Sequence, residues 1–123
     1  MPTEKRKLNH NCPTRDVLNR LTDSWSLLIL MELDHGELRF NRLREAVDGI
    51  SQRMLTVTLR NLERDGLVNR AVYPSAPPRV EYALTELGQS LVFPLRPLKD
   101  WATRCQPDVR AARARYDQQT SAH

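Results

Sequence analysis

The sequence predicts a mainly helical α+β domain with one small β-hairpin, and three observations support that class. Two segments with apolar residues at helical spacing are joined by the tight Asp48-Gly49 turn. After Gly66 the apolar period changes from about 3.6 to about 2. The length, 123 residues, holds one compact core.

Residues 1–11 are polar and charged with only Leu8 to bury, and read as a loose N-terminal arm. From Pro13, Val17, Leu18 and Leu21 recur at helical spacing and give a short amphipathic helix. Thr22 to Ser24 punctuate the chain. Ser24 is then the expected N-cap of a second helix, in which Trp25, Leu27, Leu28, Ile29, Leu30, Met31 and Leu33 are apolar nearly all round. Gly36 is expected to end it. Arg39 to Val47 places Phe40, Leu43 and Val47 on one face of a two-turn helix. After Asp48-Gly49, Ile50 is an apolar plug and Ser51 a good N-cap for a longer helix running to about Asp65 before Gly66 stops it. Helix, short glycine turn, helix is the helix-turn-helix outline.

Leu67 to Tyr73 read as a strand, Pro74 to Pro78 cannot be strand interior, and Arg79 to Leu84 resume as a second strand. A hairpin with a proline-rich tip follows the helix-turn-helix, which is the winged form of that fold. Thr85 caps a last helix whose Leu87, Leu91, Leu95, Leu98, Trp101 and Ala102 share a stripe, with Pro94 and Pro97 expected to bend or split it. Residues 12–105 are therefore expected to form the folded domain, dimerising through terminal helices, and residues 106–123 a polar, arginine-containing tail that is helical or frayed.

Lys and Arg number 19 against 15 Asp and Glu, so the net charge of +4 favours anionic partners without deciding among them. At 40% apolar and 28% charged residues, the composition is that of a folded chain and not of a disordered one. The longest apolar run, Leu27 to Met31, is far below the roughly 20 residues of a membrane span, so a cytoplasmic protein with no membrane partner is expected. Cys12 and Cys105 form no Cys-x-x-Cys pair, which argues against a disulfide scaffold or a zinc site. His10 with Cys12 finds no third and fourth ligand at convincing spacing. An enzyme reading finds no Ser/His/Asp order, no phosphate-cradling glycine loop and no paired carboxylates, and no cofactor or metal is expected.

At about 100 degrees per residue, Leu55, Leu59 and Leu62 fall on one stripe of the helix after Ser51, and Arg53, Val57, Arg60 and Arg64 on the opposite one. Such a helix, second in a helix-turn-helix, suits a major groove. Ser51, Gln52, Arg53 and Thr56 then sit at the bases, while Arg60 and Arg64 lie where phosphate runs. Arg39 and Asn41 at the start of the preceding helix, with Ser75 and Arg79 at the hairpin tip, supply further contacts to a double-stranded operator. A solvated arginine face is the plain alternative for the helix alone, since Glu63 and Asp65 partly cancel it. A winged helix that contacts protein or RNA is the alternative for the whole fold. Trp25, Met31, Phe40 and Trp101 could line an effector pocket, but aromatic residues at this spacing are ordinary core.

The residues also carry a resemblance. Cys12-Pro13, Trp25 with Leu28-Ile29-Leu30, Arg39-Phe40, Gly49 to Leu55, Leu59-Arg60 with Leu62-Glu63 and Asp65-Gly66-Leu67, Pro77 to Tyr82, Leu84-Thr85, Gly88 and Trp101 occur in order across nearly the whole chain. In this the sequence resembles the HxlR-type winged helix-turn-helix transcriptional regulators, relatives of the broader MarR group. The resemblance implies a small bacterial homodimer on a pseudo-palindromic operator, with repression expected over activation. The family usually has Gly-Lys before the tryptophan; here Asp23-Ser24 stand there, removing an expected cationic phosphate contact.

Cys12 holds the place of an N-terminal cysteine that senses oxidants, quinones or aldehydes in some family members. A thiol beside Pro13 at a helix N-terminus has its thiolate favoured by the helix dipole; a small buried residue without chemistry is the alternative. Cys105 is expected at the end of the last helix, and in a dimer built on terminal helices it could meet Cys12 of the partner in an intersubunit disulfide.

Overall fold

The computed structural model describes residues 12–21 and 23–121; the N-terminal arm, residues 1–11, lies outside the described residues. Five helices and three strands follow in the order α1 (Pro13–Leu21), α2 (Ser24–Leu33), β1 (Leu38–Arg39), α3 (Phe40–Ala46), α4 (Gln52–Arg64), β2 (Val68–Tyr73), β3 (Arg79–Leu84) and α5 (Glu86–Ser121). The architecture is mostly helical, with a three-stranded antiparallel sheet in the order β1-β3-β2. This is the winged helix-turn-helix fold.

Helix α2 is the hub, with Ser26, Ile29, Leu30 and Leu33 all buried. Around it, Leu43 of α3, Val47 and Ile50 of the turn, Leu55, Leu59 and Leu62 of α4, Val68 of β2 and Val92 of α5 complete one core. Each element contributes a single apolar stripe, so none is stable without the others. The α2 cap differs from expectation. Asp23, not Ser24, is the N-cap, because its carboxylate accepts from the Trp25 amide at 3.0 Å, and Ser24 is the first helical residue. Acid in place of the family's usual glycine at this position therefore serves the helix end. Gly36, with φ +137°, closes the turn after Asp34 has already capped the helix.

Strand β1 lay outside the sequence expectation. Its two residues pair with β3, Leu38 opposite Tyr82 and Arg39 opposite Glu81, and so tie the helix-turn-helix to the wing. The hairpin is in register from Val68 opposite Leu84 to Tyr73 opposite Arg79.

Helix α5 is continuous through Pro94, Pro97 and Pro107, so the expected split does not occur, and residues 106–121 continue the same helix. All three prolines are exposed, and the carbonyls that lose their amide donors can be solvated on that side. The buried face of α5 also differs from the expected stripe. Gly88, Val92 and Leu95 are buried, while Leu87, Leu98 and Trp101 are each more than half exposed. Helix α1 buries no residue completely: Val17 and Leu18 are exposed, and only Leu21 reaches the core. No helix among the described residues is long and apolar enough to cross a membrane.

Candidate nucleic-acid interface

Helices α3 and α4 meet through a turn fixed at both ends. Gly49 at φ +86° makes the reversal, and Val47 and Ile50 on either side are buried. Ser51 then caps α4, its hydroxyl accepting from the Met54 amide at 3.0 Å. Thr56 spends its hydroxyl on its own helix, donating to the Gln52 carbonyl at 2.9 Å. Leu55, Leu59 and Leu62 face the core as the sequence indicated, and Gln52, Arg53, Val57, Arg60 and Arg64 are exposed. Among the described residues, Arg53, Arg60 and Arg64 have no ion-pair partner. Asp65, which would offset them, is instead paired with Arg20 of α1.

The wing folds back toward the start of α3. Arg39, Asn41, Ser75 and Arg79, named from the sequence, line one open groove of about 630 Å³ together with Arg42 and the proline tip. A second groove of about 380 Å³ runs between α4 and β2, lined by Thr56, Arg60, Glu63, Arg70 and Tyr82. Arg42 and Arg70 were not singled out from the sequence. By period 2, Arg70 shares a side of its strand with Val68 and Val72, so the sequence offered no signal for it beyond its place shortly after the arginine-bearing helix.

Glu81 is the acid of this surface. Its Oε2 lies 2.8 Å from Arg79 Nε and 3.7 Å from Arg39 Nε. The Arg79 guanidinium sits 4.8 Å from the centre of the Tyr73 ring. Tyr73 donates its hydroxyl to Glu37 at 3.3 Å. Hydrogen bonding with Glu81 pushes the Glu37 carboxyl above its ordinary range, and the same bond, with Arg79 and Arg39 nearby, holds Glu81 below it. The negative charge of Glu37, foremost, raises the Tyr73 hydroxyl.

Cys12 immediately precedes α1, and its carbonyl accepts the first helical bond, from the Asp16 amide at 3.0 Å. Cys105 lies far along α5; both are half-buried free thiols. The apolar spacing on α5 continues past the expected stripe. Leu98, Ala102, Cys105, Val109, Ala112 and Tyr116 alternate by four and three residues, the spacing of a helix seam that packs on another helix. Leu98, Ala102, Ala112 and Tyr116 of that seam are exposed, and no group of three or more metal-ligating side chains stands together among the described residues.

A groove-sized helix with an unpaired arginine face, backed by a basic wing, defines a helix-turn-helix protein of the winged class. Residues 20–109 match the HxlR-like helix-turn-helix family, and the chain belongs to that family. The HTH-type transcriptional regulator YtfH of Escherichia coli (strain K12) is 44% identical over 102 residues, covering 83% of this chain and 81% of that protein. Among solved structures, the transcriptional regulator ytfH from Salmonella typhimurium superposes with a TM-score of 0.78 at 42% identity, over 86% of this chain and 95% of that one. The redox regulator HypR in its reduced form gives 0.74 at 36% identity, over 80% of this chain and 98% of that one. The protein is thus a helix-turn-helix transcriptional regulator.

Proposed function

We propose that this regulator works in the cytoplasm as a homodimer that represses by placing α4 of each protomer in successive major grooves of a pseudo-palindromic operator. Ser51, Gln52, Arg53, Thr56 and Val57 face the base edges. Arg60, Arg64, Arg39, Asn41, Ser75 and Arg79 hold the backbone and the flanking groove. The observation that carries this reading is the exposed row Arg53, Arg60 and Arg64, without ion-pair partners among the described residues, of which Arg60 lines a groove together with Arg70 of the wing. The exposed apolar residues of α1 and α5 supply the dimer contact, since such surface on two adjacent elements costs solvation unless covered. Oxidants or electrophiles act through Cys12, a reading supported by its place at a helix N-terminus and by the likeness to HypR.

Selection of bound sequences from a random duplex pool, followed by binding over a range of salt, tests the reading. An enriched inverted repeat whose affinity falls steeply with salt is expected. Binding without sequence preference or salt dependence would overturn it in favour of a protein contact.

A further inference from the structure

We propose that Glu81 is a positioning residue for the DNA backbone, its one carboxylate holding Arg39 of the helix-turn-helix and Arg79 of the wing as a two-point clamp on the duplex. The proposal rests on the DNA reading above. Sheet register places the group: Arg39 stands directly opposite Glu81 across β1 and β3, and Tyr73 directly opposite Arg79 across β2 and β3. Residues two apart on a strand share a face, so Arg79 and Glu81 are on that same side.

Two features make this a clamp and not a neutralised patch. Both arginines approach Glu81 through Nε, at 2.8 and 3.7 Å, which leaves the outer guanidinium edges available for a phosphate. The carboxylate is only 15% exposed, whereas the Arg39 and Arg79 side chains are 57% and 43% exposed, so the acid sits behind and the cations in front. Glu37 stands beside Glu81 as a second acid of the group, so what the clamp offers to a phosphate is the exposed guanidinium edges and not a surplus of charge. Tyr73 beneath the Arg79 guanidinium removes another direction in which that long side chain could swing. Arg39 is also the residue before α3, with no side-chain bond to the helix end, so Glu81 at 3.7 Å and not the cap is its polar neighbour.

Glu81→Gln and Glu81→Asp are compared with the unchanged protein on the selected operator and on random duplex, with melting temperatures alongside. Removing a negative charge should strengthen binding to any polyanion. Positioning of phosphate contacts requires the opposite: Glu81→Gln should lose about tenfold affinity on the operator and a similar factor on random duplex at an unchanged melting temperature, with Glu81→Asp recovering part. In an Arg79→Ala background the Glu81→Gln loss should shrink, because its object is gone. Equal losses on both duplexes with a lower melting temperature would reduce Glu81 to a strut, and a gain on both would make it a competitor of phosphate; either overturns the proposal. A second measurement needs no DNA. The Nε–H resonance of Arg79, 2.8 Å from the carboxylate, should exchange more slowly in the free protein than in Glu81→Gln, and equally rapid exchange in the two would also overturn it. Failure of the unchanged protein to prefer any operator is the separate result that removes the DNA reading.

Discussion

Asp34 and Arg96 meet fork to fork, Arg96 Nε lying 2.8 Å from Asp34 Oδ2 and Nη2 2.7 Å from Oδ1, and this pair fastens α5 to the end of α2. Hydrogen bonding from Arg96, with its charge and those of His35 and Lys99, holds the Asp34 carboxyl below its ordinary value of 3.8. A carboxylate with a depressed folded pKa contributes stability above its unfolded pKa and loses it as pH falls through the folded one. Asp34→Asn should therefore lower the melting temperature at neutral pH, and the gap from the unchanged protein should close below about pH 4. Thermal melts between neutral and acid pH check this. A gap that does not change with pH would show that the pair contributes packing and no charge.

Gly88 lies where α5 crosses the end of α4's loop. A Cβ there would fall 2.1 Å from the Leu67 carbonyl oxygen and 3.1 Å from its carbon, both backbone atoms. Alanine in a helix interior normally gains up to about 1 kcal/mol over glycine. Here the contact reverses the sign, because neither partner can rotate away, and Gly88→Ala should destabilise by about 1 to 3 kcal/mol. Urea denaturation decides between them; a stabilised variant would mean α5 shifts freely against Leu67.

Arg53 and Arg60 share the exposed face of α4 but sit two turns apart along it. If Arg53 meets a base edge, Arg53→Ala should cost about 1 to 3 kcal/mol on the operator and almost nothing on random duplex. Arg60→Ala should weaken both and reduce the slope of log affinity against log salt by about one. Anisotropy titrations at several salt concentrations separate the two. Identical behaviour of the two variants would place α4 differently in the groove.

What the sequence made legible was what local chemistry decides. Ser51 as cap, Gly66 as stop and the leucine stripe between them fix α4 within a single segment, and the turn from Tyr73 to Arg79 fixes the hairpin. Arg39, Asn41, Ser75 and Arg79 were each named from their own segments, but their meeting around one groove depends on the pairing of β1 with β3. Pairings between distant segments were not legible. Strand β1 has only Leu38 and Arg39, and nothing in that dipeptide announces that Tyr82 and Glu81 lie opposite. Asp23 and Ser24 are both good caps, and the choice between them depends on where the Trp25 amide points. The prolines of α5 argued for a break because propensity counts them singly, whereas their exposed placement leaves the buried side of the helix unbroken.

Cys12 and Cys105 are separated along the chain by the whole fold, yet one adjoins α1 and the other lies on α5, both helices with exposed apolar residues. Cys12 immediately precedes α1, and Cys105 falls within the four-three seam that runs from Leu98 to Tyr116. If α1 and α5 form the dimer contact, a second protomer brings its Cys105 toward the first protomer's Cys12. Diamide would then withdraw two electrons from the thiol pair, and a disulfide would join the protomers. Treated protein should run as a covalent dimer on a non-reducing gel, and Cys12→Ser or Cys105→Ser should each abolish that band. A band that survives either substitution points to a symmetric Cys–Cys contact instead. The apolar seam is separable from the thiols: Leu98→Glu should give a monomer by light scattering at micromolar concentration without oxidant, since a buried charge on each side of the contact is unpaired. A dimer that persists would move the contact away from α5.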